Sequence, residues 1–432
     1  MLRRTVRVGH LEIIDAGGMC HVYGGAPGPA VRIRLHDPAL YFGMLFRTSA
    51  ALGAAYARGD LTVERGTLYD LADLYACNIG SWERHPLHRV QRRFEATVER
   101  LRGATSIRRA QANVARHYEL PEEFYRFFLD DDLQYSSAHF RTEEDSLELA
   151  QRNKKEHLAA KLLLAPGLDV LDIGSGWGGL ALYLASHFDV HVLGITLSRQ
   201  QLDVSRRRAR ETGLSDRVRF ELCDYREVKG TFDRIVSVGM FEHVGAAAYD
   251  TFFERVAALL RQNGIAVLNS IGRMEPPCTQ DSWMRTYVFP GAHIPALSEA
   301  LAAVEHSTLW CTDIEVLRLH YARTIRHWRS RFARNRDEVQ RLFGERCCRE
   351  WELYLAGAEV SFRRMRQMVF QMQLARSIDA VPLTRDYVFE RERLASRELE
   401  RAIEPKESED DEGLGRDTDE AHFTSERPNP LV

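Results

Sequence analysis

Residues 170–179, with the sequence VLDIGSGWGG, decide the fold. An apolar run enters closely spaced glycines and continues into residues 180–185, LALYLA, a pattern typical of a strand, a tight turn and a helix in a βαβ unit. Glycine at Gly174 and Gly176 lets the backbone adopt positive φ and approach a ligand closely. The N-terminus of the following helix favours a carboxylate. The stretch therefore predicts a nucleotide-type pocket.

The alternation of strands and helices continues beyond this turn. Further strands are predicted at residues 190–195, 218–222, 232–238 and 264–270, with helical segments between them. This order predicts an α/β fold with a doubly wound, mostly parallel sheet. Because ligands of such sheets bind beyond the carboxyl ends of the strands, the polar residues at those ends are the candidates for a site.

The glycine turn suits a dinucleotide or S-adenosylmethionine, and in some proteins it serves only close packing. Dinucleotide sites carry an acid after the second strand, whereas this chain has Thr196 and then Gln201, which argues against NAD. The tripeptide Asp224 to Arg226 suits either an adenine flank or a solvated turn. The predicted cofactor-binding residues are Tyr135, Ser136, Asp172, Gly174, Gly176, Thr196, Gln201, Asp224, Tyr225, Arg226 and Gly239.

Composition indicates a soluble globular enzyme of two or three domains, with 432 residues, 44% of them apolar and 28% charged. No run of ~18 uncharged apolar residues occurs, and the first residues lack the apolar core of a signal peptide. We therefore expect a cytoplasmic protein. The seven cysteines are scattered and form no C-x-x-C pair, so neither a disulfide framework nor a metal site is predicted.

Three regions are expected along the chain. Short alternating runs in residues 1–105 predict a small α+β domain, and residues 106–403 hold the cofactor domain. Residues 404–432 contain ten acidic and three basic residues and few apolar ones, which predicts a disordered acidic tail. Residues 317–402 are expected to be almost wholly helical and to form a lid, with aromatic residues such as Trp328 and Phe370 on one side.

Several motifs in order resemble the cyclopropane-fatty-acyl-phospholipid synthases. They are HYEL at 117–120, Tyr135-Ser136, the glycine turn, GITLS at 194–198 followed by Gln201, and GMFEHVG at 239–245. The likeness covers roughly residues 112–403, and the N-terminal part is similar only as a lipid-handling domain that mediates a homodimer. The resemblance implies a class I methyltransferase fold. It also implies transfer of the methyl group of S-adenosylmethionine to the cis double bond of an unsaturated phospholipid acyl chain.

The resemblance further implies a carbocation on the acyl chain and a bound bicarbonate that removes a proton from the added methyl group. In the family this bicarbonate is held by a cysteine, a glutamate, a histidine and a tyrosine. Glu242 and Tyr321 match two of these positions, whereas Ser137 and Asn269 replace the cysteine and the histidine. Both replacements still donate hydrogen bonds. Glu359 is either a built-in proton acceptor or a helix-surface charge.

The product stays open at this point. Proton loss from the new methyl group closes a cyclopropane, whereas loss from a chain carbon gives a methyl-branched or methylene chain or a furan precursor. The replacement of the family's cysteine and histidine by Ser137 and Asn269 favours the second outcome. A non-catalytic protein that binds S-adenosylmethionine and lipid is the third reading. Nucleic acid is not an expected partner, because residues 1–403 carry a net charge of only +4 and lack a base-flipping motif.

A bilayer surface is the expected partner, with peripheral association at the inner face of the membrane. Basic clusters at residues 206–210 and 363–366 suit anionic headgroups, although such clusters are commonly solvated helix faces. The aromatic segment 283–291, WMRTYVFPG, is a candidate for docking over the acyl tunnel, or part of the core.

Overall fold

The computed structural model describes residues 5–41, 48–83, 120–277 and 293–403. Its strands are β1 Val8–Ile14, β2 Cys20–Gly24, β3 Ala26–Leu35, β4 Leu61–Arg65, β5 Asp169–Ile173, β6 His191–Thr196, β7 Val218–Leu222, β8 Phe232–Val238, β9 Leu260–Arg273, β10 Trp310–Val316 and β11 Gln367–Ala375. Its helices are α1 Thr48–Arg58, α2 Leu68–Glu83, α3 Glu122–Arg126, α4 Leu147–Leu162, α5 Gly179–Phe188, α6 Arg199–Glu211, α7 Tyr249–Leu259, α8 Leu297–Glu305, α9 His320–Arg334, α10 Arg336–Phe343, α11 Glu345–Arg364 and α12 Asp386–Ile403.

The N-terminal strands form a separate sheet in the order β2-β1-β3-β4, with β1 parallel to β3. Helix α2 is attached to this sheet by Asn78, whose side-chain oxygen accepts hydrogen bonds from the backbone N–H groups of Arg7 and Val8 at 2.7 and 3.0 Å. The predicted domain boundaries at 105 and 403, and the acidic tail, lie at or beyond the edges of the described residues, so they stay predictions.

The large sheet has the order β10-β11-β9-β8-β5-β6-β7. Strands β9, β8, β5, β6 and β7 run parallel to one another, and helices cover both faces. Strand β5 is the first strand of the parallel part along the chain, with β6 and β7 on one side of it and β8 and β9 on the other. The strand order therefore reverses at β5, and a pocket is expected beyond its carboxyl end. This arrangement confirms the predicted fold class.

Strand β11 corrects the prediction of a continuous helical lid. Residues 367–375 run antiparallel between β9 and β10, and Phe370 lies opposite Ser270 on one side and Val316 on the other. Both faces of this strand are buried, and the apolar residues at alternate positions belong to one core cluster. The period of two in this stretch is a strand signal, which the helical segments on either side obscured.

The lid helices that remain are α9, α10 and α11, and they pack through aromatic side chains. The ring of Phe124 in α3 lies edge-on to Trp351 and Phe343, with centroids 4.9 and 5.1 Å away. Phe124 and Tyr125 are fully buried, so the aromatic segment that contains them serves the core. Among the described helices none is long and apolar enough to cross a bilayer.

Helix α4 is unusual because it is polar and buried. Thirteen of its sixteen residues are buried, and they include Lys154, Glu156, His157 and Lys161. The side chain of Ser146 caps the helix by accepting the backbone N–H of Leu149 at 3.1 Å. Since buried charges are tolerated only with partners, each of these side chains must be satisfied by a neighbouring element.

Candidate active site

The glycine turn after β5 forms the floor of the first cavity. Gly174 has a φ of +87°, and a Cβ atom there would lie 2.9 Å from the Cβ of Met240. Gly176 has a φ of +53° with open space around its Cα, so the backbone leaves room for a ligand. The backbone N–H groups of Gly174 and Ser175 both donate to the carbonyl of Ile195, which fixes the turn against β6.

Every predicted cofactor residue lines this first cavity, which we name the cofactor pocket. The loop of residues 133–136, which we name the cofactor loop, closes it on one side, and the ends of β5, β6, β7 and β8 form the other. The sequence therefore located the strand ends correctly. The roles of the individual residues in binding stay predictions.

Asp172 provides a buried acceptor in the cofactor pocket. Burial raises the pKa of Asp172 to about 7. Its Oδ2 atom is buried and has no hydrogen-bond partner among the described residues. An unsatisfied carboxyl oxygen beside an open glycine turn fits the cationic amino and sulfonium groups of S-adenosylmethionine.

Gln201 offers donors at the end of β6. The hydroxyl of Thr196 donates to Oε1 of Gln201 at 2.9 Å, so the amide oxygen is engaged and the NH₂ group remains as a donor. Ser198 caps α6 by accepting the backbone N–H of Gln201 at 3.3 Å. These contacts present an amide donor where dinucleotide sites present an acid, as the sequence indicated.

The Asp224 to Arg226 turn is tied by an internal ion pair. Nε and Nη2 of Arg226 donate to the two carboxylate oxygens of Asp224 at 2.7 and 2.8 Å. The guanidinium of Arg226 also lies over the ring of Tyr225, 5.4 Å from its centroid. The turn is therefore rigid, and it presents Tyr225 at the wall of the pocket.

Lys154 lines the cofactor pocket and was not predicted. Its ammonium group donates to Oε1 of Gln134 at 2.6 Å and to Oγ of Ser136 at 2.8 Å. Burial lowers the pKa of Lys154 to about 7. A lysine within a charged helical segment ordinarily points to solvent, so the polar loop at 134–136 was the main sequence signal for a polar partner here.

A second cavity lies beside the cofactor pocket, and we name it the acyl cavity after the substrate that the resemblance implies. It contains four of the five predicted catalytic residues, Ser137, Glu242, Asn269 and Tyr321. Its other walls are mostly apolar and include Phe362 and Tyr354 from α11. Four residues line both cavities: Tyr135, Ser136, Gly239 and His243. A ligand in one cavity is therefore in reach of a ligand in the other.

Glu242 is the buried carboxyl of the acyl cavity. Its Oε1 atom accepts the backbone N–H of Ile271 at 2.6 Å, whereas Oε2 is buried without a partner in the described part of the chain. Burial raises the pKa of Glu242 to about 7. Burial also lowers the pKa of the adjacent His243 to about 4, so this imidazole is neutral at pH 7.

Asn269 is oriented by a residue on β11. Nε2 of Gln371 donates to Oδ1 of Asn269 at 3.1 Å, which leaves the NH₂ group of Asn269 as the donor toward the cavity. Ser137 contributes a hydroxyl that donates to the carbonyl of Ala138 at 3.2 Å. The sequence could not reveal Gln371, because this part of the chain was expected to be helical.

Glu359 is not brought to the acyl cavity. It is absent from the residues that line either cavity, and its carboxylate accepts from Arg329 at 2.6 Å and from Arg363 at 2.9 Å. The sequence left two interpretations of Glu359, a proton acceptor in the cavity or a charge on the helix surface. The geometry supports neither of them. The side chain is buried and links α9 to α11.

The basic clusters are largely engaged within the protein. Arg207 pairs with Glu122 at 2.6 Å, and Arg208 pairs with Asp132. Arg364 pairs with Asp73 of α2 at 2.8 Å. The aromatic segment 283–291 lies outside the described residues, so its docking role stays a prediction.

The parallel sheet, the glycine turn and the pocket above it define an S-adenosylmethionine-dependent methyltransferase of the class I fold. A model of the mycolic acid cyclopropane synthetase family matches residues 105–372, more than half of the chain. The chain belongs to this family, which confirms the resemblance found in the sequence.

Similar proteins extend the match to the N-terminal region. The chain is 34% identical over 351 residues to a probable fatty acid methyltransferase of Pseudomonas putida, covering 78% of this chain and 85% of that protein. It is 33% identical over 368 residues to cyclopropane-fatty-acyl-phospholipid synthase of Escherichia coli (strain K12), covering 85% and 93%. The mycolic acid cyclopropane synthase CmaA1 complexed with SAH and CTAB superposes with a TM-score of 0.59 at 29% identity, covering 61% of this chain and 98% of that one.

Proposed function

We propose that the protein transfers the methyl group of S-adenosylmethionine to the cis double bond of an unsaturated phospholipid acyl chain and closes a cyclopropane ring. The observation that carries this proposal is the buried carboxyl of Glu242 in an apolar cavity that shares a wall with the cofactor pocket. The family and its Escherichia coli relative support the same reaction.

The cofactor supplies an electrophilic methyl group on a sulfonium. An alkene is a weak nucleophile, so its carbon must be held close to this methyl group and in line with the bond that breaks. Tyr135 and Gly239 border both cavities and can fix this alignment. The hydroxyl of Tyr135 donates to that of Tyr354 at 3.0 Å, which holds the cofactor loop against the lid.

Attack by the double bond leaves a carbocation on the acyl chain. Water would convert this cation to an alcohol, so an apolar cavity is required. The rings of Tyr321 and Phe362, with centroids 4.8 Å apart, both line the cavity, and aromatic rings attract a nearby cation. The ionised form of Glu242 adds a fixed negative charge, and its attraction for the cation is stronger in a site from which water is excluded.

Ring closure requires that a proton leave the transferred methyl group. The methyl carbon then forms its second bond to the acyl chain with the electron pair of the broken C–H bond. We include bicarbonate in the proposal as the proton acceptor, with the NH₂ group of Asn269, the hydroxyl of Tyr321 and a rotated hydroxyl of Ser137 as its donors. Turnover in CO₂-free buffer with and without added bicarbonate tests this step.

A second outcome is favoured by the amide at Asn269. An amide holds an anion less firmly than an imidazolium, so a base displaced from the methyl group would take a proton from a chain carbon instead. The product would then be a methyl-branched chain that keeps a double bond. A methylene chain forms instead if a hydride first shifts from the methylated carbon to the cationic carbon and the methyl group then loses the proton. The Pseudomonas putida relative, a probable fatty acid methyltransferase, supports this alternative.

Product identification tests the proposal directly. Purified protein is incubated with methyl-labelled S-adenosylmethionine and vesicles of a cis-unsaturated phospholipid, with saturated vesicles as the control. We expect label only in the unsaturated lipid and an NMR signal of a cyclopropane methylene. A labelled chain that keeps an olefinic signal would select the methyl-branched or methylene product, and absence of label from all lipid would exclude lipid methylation.

The substrate requires contact with a bilayer, which we propose to occur at the membrane surface. Because the described basic clusters are mostly paired internally, we expect vesicle binding to depend more on the aromatic segment 283–291 than on electrostatic attraction, and therefore to change little with salt. Co-sedimentation with anionic vesicles at low and high salt measures this. Loss of binding at high salt would assign the contact to charge instead.

A further inference from the structure

A second group of ionisable side chains lies outside both cavities, behind the cofactor loop. His139, His157 and Glu392 each offer a ligand atom, and these atoms lie within 4.8 Å of one another. The three residues come from the loop that follows Ser137, from α4 and from α12. None of them lines the cofactor pocket or the acyl cavity.

His157 is held between two carboxylates. Its Nε2 atom lies 2.8 Å from Oε2 of Glu315, and its Nδ1 atom lies 2.7 Å from Oε1 of Glu392. If Nε2–H donates to Glu315, the proton between Nδ1 and Glu392 is the one that a metal ion would displace, which exposes the lone pair of Nδ1 to the ion. A carboxylate that accepts the outer N–H of a histidine is the usual support of a metal-ligating imidazole.

His139 carries a nitrogen that its surroundings leave unsatisfied. Its Nδ1 atom is buried and has no hydrogen-bond partner among the described residues. The ring stacks on His157 with centroids 4.4 Å apart and on His320 at 4.8 Å. A buried imidazole nitrogen without a partner indicates a missing ligand, since buried polar atoms are otherwise almost always satisfied.

Among the charged side chains around His139 and His157, the carboxylate of Glu392 can balance the charge of a cation. Lys161 lies 2.5 Å from Glu315 and 3.5 Å from Asp313, and Arg385 lies 3.4 Å from Asp313. These two cations offset the outer carboxylates, Asp313 and Glu315. The carboxylate of Glu392 faces the imidazoles.

We propose that His139, His157 and Glu392 bind a divalent transition-metal ion, with zinc as the best match, and that Glu315 supports His157 from behind. Two imidazoles and a carboxylate are a common zinc ligand set. Ligand atoms ~2.1 Å from a tetrahedral ion lie ~3.4 Å apart, so atoms that are now up to 4.8 Å apart must move closer by about 1 Å. The stacked imidazoles must also tilt toward the ion. The ion replaces the proton that His157 and Glu392 share. Cysteine spacing in the sequence predicted no such site.

The ion would fix the loop that both cavities share. His139 is two residues after Ser137, which lines the acyl cavity, so the metal would tie this loop to α4 and to the start of α12. Its role is therefore structural. We expect chelation to lower the melting temperature and to weaken S-adenosylmethionine binding.

Zinc content and affinity of the full-length protein test the proposal. We expect about one zinc per chain by elemental analysis, and tight rebinding by calorimetry after chelation. His139→Ala and His157→Gln should each weaken zinc binding at least ~100-fold, and Glu315→Gln about 10-fold. His306→Ala removes an exposed histidine that pairs with Asp250 and should change nothing. Zinc that binds equally to His139→Ala, or no binding by the wild type, would overturn the site.

X-ray absorption of the zinc-loaded wild type gives a test that needs no variant. We expect nitrogen and oxygen ligands with the scattering of two imidazoles. A sulfur ligand would place the zinc on cysteine and refute the proposal. The readout does not depend on turnover, so failure of the lipid reaction and failure of the metal site are distinguishable.

Discussion

Replacement of Glu242 by glutamine removes one charge from the acyl cavity and keeps the shape of the side chain. The amide oxygen of glutamine can still accept the backbone N–H of Ile271, which now donates to Oε1 at 2.6 Å. The second oxygen, which has no partner among the described residues, becomes an NH₂ group. The variant therefore isolates the effect of ionisation.

The stability effect has a sign that depends on pH. The folded carboxyl has a pKa of about 7, raised by burial from 4.5, so the unfolded chain ionises first as pH rises. Between these pH values the wild type loses stability, and above pH 7 the loss amounts to ~3 kcal/mol. Glu242→Gln should therefore unfold at a higher temperature than the wild type at pH 8. Most of this difference should vanish at pH 5.

The activity effect runs in the opposite direction. We expect kcat to fall at least ~100-fold, the scale of losing one preorganised electrostatic group, while the dissociation constant of S-adenosylmethionine changes less than about threefold. Because the ionised form is the active one, kcat of the wild type should rise through pH 7. Labelled-methyl transfer to unsaturated vesicles measures kcat, and calorimetry measures cofactor binding.

A matched control is Glu156→Gln. Glu156 is a buried carboxylate that accepts from Tyr183 at 2.5 Å and from Arg391 at 3.1 Å, and it lines neither cavity. Its turnover per folded molecule should equal that of the wild type. A Glu242→Gln enzyme that keeps more than about a tenth of the activity, or that is less stable than the wild type at pH 8, would refute the reasoning.

Three further substitutions address the cofactor pocket and the lid. Asp172→Asn should weaken the binding of S-adenosylmethionine about tenfold. Burial raises the pKa of Asp172 to about 7, so the wild type should bind the cofactor more tightly as pH rises through 7, and the variant should not. Calorimetry at pH 6 and 8 measures both effects. Lys154→Met removes two hydrogen bonds to the cofactor loop and should also raise the dissociation constant at least tenfold, with kcat at saturating cofactor little changed. Glu359→Gln should lower the free energy of unfolding by ~2 kcal/mol, because it weakens the ion pairs with Arg329 and Arg363. It should reduce kcat less than about threefold. A fall in kcat as large as that of Glu242→Gln would show that Glu359 takes part in catalysis.

The parts of the fold that were predictable depend on short-range signals. The glycine turn at 174–179 and the apolar runs on either side of it fix a βαβ unit, and successive strand ends then converge on one edge of the sheet. For this reason the residues that line the cofactor pocket could be predicted without knowledge of tertiary structure, while their roles in binding stay predictions. The resemblance supplied the positions of Ser137, Asn269 and Tyr321, which lie far apart in the sequence.

The parts that were missed depend on long-range pairing. Strand β11 is separated from β9 by the lid helices, and its edge-to-edge pairing with β9 and β10 is invisible in a local window. Gln371 gains its contact with Asn269 only from that pairing. Lys154 and Glu359 belong to charged helical segments, and only the packing of neighbouring elements makes them buried.

The buried polar helix α4 also constrains how this sequence can change over evolution. Lys154 and Lys161 have partners on different elements, the cofactor loop and β10 respectively. Loss of one member of such a pair leaves the other buried without its partner, so a single substitution lowers stability, whereas a paired substitution is tolerated. Drift along this helix should therefore proceed by coordinated exchanges, and homologues that differ at Lys161 should differ at Glu315 as well.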